Sequence, residues 1–166
     1  MTTLSSGAED TFALGRRLAL HLEKGSIVAL KGPLGAGKTC FAKGIARGLD
    51  INEEVTSPTY TIISEYSGII PQKIHDNWEK SPKKAESVPV YHIDAYRLGG
   101  DEDFSAMGGE EIVFGSGISM IEWSERIPLF IPPGAFIVEI EISGEKTRAI
   151  NIYKKPDHKE TGNAGL

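Results

Sequence analysis

Gly32-Pro33-Leu34-Gly35-Ala36-Gly37-Lys38-Thr39 fits the phosphate-binding pattern G-x-x-x-x-G-K-[ST], and the residues on either side supply the context it requires. Upstream, Ile27-Val28-Ala29-Leu30 is a short apolar, partly β-branched run of the kind a buried parallel strand shows. Downstream, Phe41, Ala42, Ile45, Ala46 and Leu49 recur at helical spacing. Strand, glycine loop and helix thus follow in order. Each fixed position in the loop has a physical task. The glycines let backbone N–H groups approach phosphate oxygens, Lys38 brings a point charge to the β- and γ-phosphates, and Thr39 offers a hydroxyl to Mg²⁺. The start of the following helix adds partial positive charge.

The remainder of the chain extends the same pattern. Ser6-Gly-Ala-Glu9 reads as a capping box that opens a helix, with Leu14, Leu18 and Leu22 on one face and Gly25 as its stop. Val55 to Tyr60 is a shaped turn around Pro58, and Thr61–Tyr66 reads as a strand. From 67 to 89 the chain has no clear period and reads as a surface insertion. Val90–Ile93 is a strand ending at Asp94, Asp101–Glu111 a short helix ending near Gly108-Gly109, and Gly117–Ile121 a strand ending at Glu122-Trp123. Ala135–Ile142 and Arg148–Tyr153, separated by Ser143-Gly-Glu-Lys146, form a hairpin signal. The expected architecture is α/β: a three-layer P-loop NTPase fold with a mixed β-sheet and a C-terminal β-hairpin. It occupies 1–155 as a single domain, with 156–166 as a flexible tail.

Composition narrows the function. The 166 residues are 40% hydrophobic and 25% charged, as in ordinary globular domains. A net charge of −5 and a pI near 5.4 make the chain a poor match for gripping nucleic acid by itself. The basic clusters Lys80/Lys83/Lys84 and Lys146/Arg148/Lys154/Lys155 read as solvated surface. One cysteine, Cys40, excludes an intrachain disulfide. It reads as a small buried residue, a lowered thiol pKa at the helix start being the alternative. No apolar stretch is long enough to span a membrane and the N-terminus lacks a signal-peptide pattern, so the cytoplasm is expected.

A phosphate loop needs acidic partners, and ligands in open α/β sheets gather at the carboxyl ends of strands. Asp94 and Glu122 both stand there. Glu122 would hold the metal directly or through water. Asp94 would orient the attacking water or bind the metal's water shell. Ser57 and Thr59 either sense the γ-phosphate or simply make their turn. His92 reads as a core or face histidine. Arg97 reads as a partner of Asp94, a phosphate contact or a structural ion pair.

Four segments together then resemble one family: Gly32–Thr39, Ser57-Pro-Thr-Tyr60, Tyr91-His-Ile-Asp-Ala-Tyr-Arg-Leu98 and Ile121-Glu-Trp123. In this order and spacing, from about Thr11 to Tyr153, the chain resembles the bacterial TsaE (YjeE) family, the ATPase needed for threonylcarbamoyladenosine (t6A) in tRNA. The resemblance implies ATP and Mg²⁺ as cofactors and weak ATP hydrolysis by the chain alone. It also implies action with two partners, the transferase subunit (TsaD-like) and its inactive paralogue (TsaB-like). These modify adenosine 37 of tRNAs reading codons that begin with A, so tRNA is met indirectly through the complex. Carried over by position, Lys38, Asp94 and Glu122 are the catalytic set, and Thr39 and Glu122 serve the metal. Thr11, Gly35, Ala36, Gly37, Lys38, Thr39, Cys40 and Trp123 contact the nucleotide, and Ser57–Tyr60 forms a switch-like loop. Two departures stand out: Pro33, where family members usually carry an acidic or amide residue, and the longer 67–89 segment. A small-molecule kinase and a nucleotide-dependent binding module without turnover are the competing readings.

Overall fold

The computed structural model describes residues 2–71 and 86–157. Its strands are β1 (Thr2–Ser5), β2 (Ile27–Lys31), β3 (Ile63–Ile69), β4 (Ser87–Asp94), β5 (Ile118–Glu122), β6 (Phe136–Ile142) and β7 (Arg148–Lys154). They form one seven-stranded sheet in the order β1-β7-β6-β2-β5-β4-β3. The inner pairs β2/β6, β2/β5 and β4/β5 are parallel, and the outer pairs β1/β7, β6/β7 and β3/β4 are antiparallel. The sheet is therefore mixed, as the sequence predicts, and β6/β7 is the expected hairpin.

Alternation along β2 separates two cores. Val28 and Leu30 join the cluster under α1 (Ala8–Ala19) and α2 (Lys38–Gly48), together with Leu18, Phe41 and Ile45. Ile27 and Ala29 join the cluster on the other face, with Phe104, Val113 and Phe130 from α3 (Asp101–Ala106), α4 (Gly109–Val113) and a 3-10 turn over Pro128–Phe130. Helix, sheet and helix make the three layers. All of β2 up to Leu30 is buried, which is why its sequence is a continuous apolar run rather than an alternating one.

Several boundaries differ from the sequence expectation. The first helix starts with Gly7 at its N-cap and no side-chain cap. Asp10, not Glu9, reaches back to accept the Ser6 N–H at 2.8 Å, because Asp10 occupies the third helical position once Gly7 is the cap. This helix ends at Ala19, well before Gly25. The expected single helix over 101–111 is two, broken at Gly108, whose φ is 80°. Strands β3 and β4 run further than expected and pair as far as Ile69 with Ser87. Only 72–85 of the expected insertion, with the Lys80/Lys83/Lys84 cluster, lies outside the described residues, as does 158–166 of the expected tail.

Candidate functional site

Register brings the candidate residues together. β2 ends at Lys31 and passes straight into the glycine loop, which ends where α2 begins at Lys38. In the neighbouring parallel strands, Leu30 lies beside Glu122 and Glu122 beside Asp94. Both acids thus stand at the carboxyl edge of the sheet, next to the loop. Lys38, Thr39, Asp94, Glu122 and Trp123 line one cavity of about 360 Å³, closed on another side by Ser57 and Thr59.

The loop is shaped by its surroundings. Gly32 has φ 143°, and a Cβ there would stand 2.3 Å from the carbonyl oxygen of Ile140 on β6. No other residue fits that backbone without displacing a strand. Gly37, at φ 108°, caps α2 and lines the cavity. Pro33 is accommodated because its missing N–H is not used. Its carbonyl accepts from the Ala36 N–H at 3.2 Å and from Lys38 Nζ at 2.9 Å. The Lys38 ammonium also donates to the Gly32 carbonyl at 2.7 Å and lies 3.7 Å from the centroid of the Trp123 ring. Burial pushes its pKa below 10.5, against the pull of the Glu122, Glu125 and Asp94 carboxylates.

The acids are held in a connected set of hydrogen bonds. Thr39 Oγ1 lies 2.8 Å from Oε1 and 3.0 Å from Oε2 of Glu122, donating to the carboxylate. His92 Nε2 lies 2.8 Å from Glu122 Oε1 and, with a carboxylate oxygen as its partner, is the donor. Ser57 Oγ and Thr59 Oγ1 donate to Oδ2 of Asp94 at 2.9 and 3.1 Å, and the Tyr96 N–H donates to Oδ1 at 3.0 Å. Two non-glycine residues with left-handed backbone flank these acids. Trp123, at φ 56°, follows Glu122, and Ile62, at φ 67°, accepts the Asp94 N–H through its carbonyl at 2.8 Å. Such conformations cost about 1–3 kcal/mol each and persist where the surroundings impose them.

The two residues named for metal fit a magnesium ion that arrives with a nucleotide. A threonine hydroxyl and a carboxylate within hydrogen-bond distance of each other are hard oxygen donors. Among the described residues no group of three or more His, Cys, Asp or Glu could hold a metal by itself. That agrees with Mg²⁺ taking one or two protein ligands and completing its shell with phosphates and water.

Other sequence expectations fare differently. Thr11 does not line the cavity. It is buried behind the loop, its Oγ1 2.8 Å from Ser5 Oγ and its methyl 3.6 Å from where a Gly37 Cβ would be. The Ala36 side chain belongs to the core. Cys40 is half-buried and donates Sγ–H to the Ala8 carbonyl, and burial pushes its thiol pKa up, opposed by Lys43, contrary to the lowered pKa that the helix start suggested. Neither Ala36 nor Cys40 lines the cavity, and the Ala36 N–H and carbonyl are taken by Pro33 and Arg148. Arg97 lies over the exposed Tyr60 ring, 4.5 Å from its centroid, and not against Asp94.

Sequence reasoning missed two residues. His92 belongs to the site through Glu122. The signal was its position two residues before Asp94, since period-two alternation puts both on one face of β4. Arg148, read as solvated surface, is half-buried and bonds the loop backbone. Nothing local in the sequence marks that contact.

Comparison with known proteins identifies the family. The family model described as "Threonylcarbamoyl adenosine biosynthesis protein TsaE" matches residues 5–150. The Treponema pallidum tRNA threonylcarbamoyladenosine biosynthesis protein TsaE is 38% identical over 152 residues, covering 92% of this chain and 99% of that protein. The Aquifex aeolicus protein of the same name is 35% identical over 149 residues, covering 89% and 91%. The crystal structure of Bacillus subtilis YdiB superposes with a TM-score of 0.69 at 29% identity, covering 95% of this chain and 86% of that one. A family model matching residues 5–150 of the 166, with relatives of 35–38% identity over most of their length, places the chain in the TsaE family of threonylcarbamoyladenosine biosynthesis proteins.

Proposed function

We propose that this chain is the ATP-binding and ATP-hydrolysing subunit for t6A formation at position 37 of tRNAs that read codons beginning with A. It works in the cytoplasm with a transferase subunit and that subunit's inactive paralogue, and meets tRNA through that assembly. The observation that carries the reading is the Thr39–Glu122 pair at the mouth of the phosphate loop, with Asp94 on the adjacent strand. A binding loop alone holds phosphate. A hydroxyl–carboxylate pair with a second acid beside it provides for hydrolysis.

The protein's own groups divide the work. The Lys38 ammonium and backbone amides of the loop from Gly37 to Cys40 bind the phosphates, the Ala36 N–H being held by the Pro33 carbonyl. Lys38 leaves the Gly32 and Pro33 carbonyls to do so. Thr39 and Glu122 would hold Mg²⁺, which would supply charge neutralisation for the triphosphate. His92 fixes the orientation of Glu122 by occupying one face of Oε1. Asp94 positions the attacking water and accepts its proton in a hydrogen bond. Ser57 and Thr59 share Oδ2 of Asp94, so a change at that carboxylate is felt in the Ser57–Tyr60 turn, which then reports the state of the nucleotide. Trp123 covers Lys38 and the nucleotide beside it, and Thr11 supports the loop from behind. Hydrolysis is weak alone and rises with the partners.

The test is reconstitution of tRNA modification with the transferase and its paralogue, with and without this chain, following both product and phosphate release. Multiple turnovers that need the chain and ATP are expected. Turnover indifferent to the chain sinks the proposal.

A further inference from the structure

Arg148 lies at the start of β7, next to the β6–β7 turn, more than a hundred residues from the phosphate loop in sequence. Its guanidinium joins the two. Nε donates to the Ala36 carbonyl at 3.0 Å and Nη2 to the Gly35 carbonyl at 3.2 Å. Nη1 donates to the carbonyls of Thr147 and Gly144 at 2.9 and 3.2 Å. The side chain is thus anchored in its own turn while its fork grips two successive carbonyls of the loop. Arg148 is not part of the cavity wall, whereas Gly37 is.

Peptide planarity turns this contact into a statement about the cavity. In a trans peptide the C=O and the following N–H point in opposite directions, and no cis bond occurs among the described residues. Holding the Ala36 carbonyl toward Arg148 therefore aims the Gly37 N–H the other way, and Gly37 lines the cavity. The peptide before it is fixed twice, by the Gly35 carbonyl on Arg148 and by the Ala36 N–H on Pro33. The opposite flank is tied to the same strand pair. Ser5 of β1 pairs with Arg148 in register, and Ser5 Oγ bonds Thr11, whose methyl backs Gly37.

We propose that Arg148 is a positioning residue for nucleotide binding: from the β6–β7 hairpin it sets the phosphate-loop peptides so that the Gly37 amide faces the phosphate before any ligand arrives. The proposal rests on the reading of this cavity as an ATP site. An unset loop pays the ordering cost at the moment of binding, so the effect falls on Kd and KM more than on kcat.

The experiment compares wild type, Arg148→Ala and Arg148→Lys by ATP titration calorimetry and by hydrogen exchange of the nucleotide-free proteins. For Arg148→Ala, Kd rises by about tenfold or more, as for loss of one charge-assisted hydrogen bond, and the amides of 35–38 exchange faster without nucleotide. Lysine keeps the charge but not the fork and falls between the two. A purely structural arginine would lower the melting temperature and leave affinity and loop exchange unchanged. If wild type binds ATP and both variants bind it within about twofold, the proposal is wrong and the ATP site stands. Should wild type fail to bind ATP, the site reading and this proposal fall together. If Arg148→Ala does not fold, Arg148→Lys decides.

Discussion

Gly44→Ala is expected to destabilise this protein, although at an open helical position the same change stabilises by about 1 kcal/mol. Gly44 lies in α2 against α1, where a Cβ would stand 2.1 Å from the Phe12 carbonyl oxygen and 3.0 Å from its carbon. Gly15 of α1 makes the reciprocal approach, its Cβ position 2.2 Å from the Phe41 carbonyl oxygen. The two helices therefore touch backbone to backbone. Ordinary contact needs about 3.5 Å, so the added methyl forces them apart by an ångström or so. Overpacking of this kind costs about 1–3 kcal/mol, and backbone obstacles lie at the upper end because they cannot rotate away. After the gain in helix propensity, the net loss is about 1–2 kcal/mol, or a fall of about 2–8 °C in melting temperature for a chain of this size. Urea unfolding monitored by circular dichroism measures it as a lower midpoint at unchanged slope. A functional consequence follows from Thr11, which α1 holds behind Gly37. Moving α1 removes that support and weakens ATP binding along with stability. A Gly44→Ala midpoint at or above wild type refutes the close helix seam and the support it gives the loop.

Among the described residues Lys38 is the one side-chain ammonium lining the cavity, and for Lys38→Ala ATP affinity should fall by about two orders of magnitude in calorimetry, the worth of one or two charge-assisted bonds. Glu122→Gln keeps the volume beside Thr39 and His92 but removes the charge. Magnesium-dependent phosphate release with the partners should drop by about 10²–10³-fold while ATP binding in EDTA persists, and retained turnover counts against the assignment. Burial lowers the Lys38 pKa below its unfolded value of 10.5, so charging this lysine opposes folding below the folded pKa, and the penalty fades as pH rises toward 10.5. Stability of the free protein therefore gains from this group in that alkaline window. ATP affinity moves the opposite way, because phosphate needs the ammonium. Paired unfolding and binding curves from about pH 8 to 10 should show the two trends diverging, and Lys38→Met should abolish both contributions.

The parts of the fold legible in the sequence are those where one local pattern decides. Ile27–Leu30, buried on both faces, announces a central parallel strand, and the alternating residues of β6 and β7 announce a hairpin. Asp94 and Glu122 were legible as strand-end acids because the runs before them are apolar. β1 was not. Its one large apolar residue, Leu4, is 73% exposed, and the strand exists through its ladder to β7 rather than through burial. The break between α3 and α4 turns on Gly108, which the sequence alone does not distinguish from Gly109 as the end of a single helix. His92 hid because a histidine among valines and isoleucines looks like core, and it is fully buried. Only the register of β4 against β5 shows that it meets Glu122. Arg148 could not be read at all, since its partners are backbone carbonyls, and every residue has one.

The site resolves a problem common to cavities built for highly charged ligands. Lys38, Asp94 and Glu122 are all at least 95% buried, and buried charge without a partner is costly. Each therefore has an internal partner: Lys38 the Gly32 and Pro33 carbonyls, Glu122 the Thr39 and His92 donors, Asp94 two hydroxyls and a backbone amide. Binding is then an exchange. Lys38 trades two neutral carbonyls for charged phosphate oxygens and gains, because opposite unit charges attract more strongly than a charge and a carbonyl dipole at the same distance. On the proposed function, Glu122 and Thr39 would trade each other for a cation and likewise gain. Asp94 gains nothing directly from a phosphate, since like charges repel, and this separates it from the other two. Its hydrogen bonds to Ser57, Thr59 and Tyr96 are the ones that the approach of negative charge strengthens rather than replaces. Asp94 is thus the acid whose own bonds binding would leave in place, and the left-handed backbone at Ile62 and Trp123 adjoins the two acids.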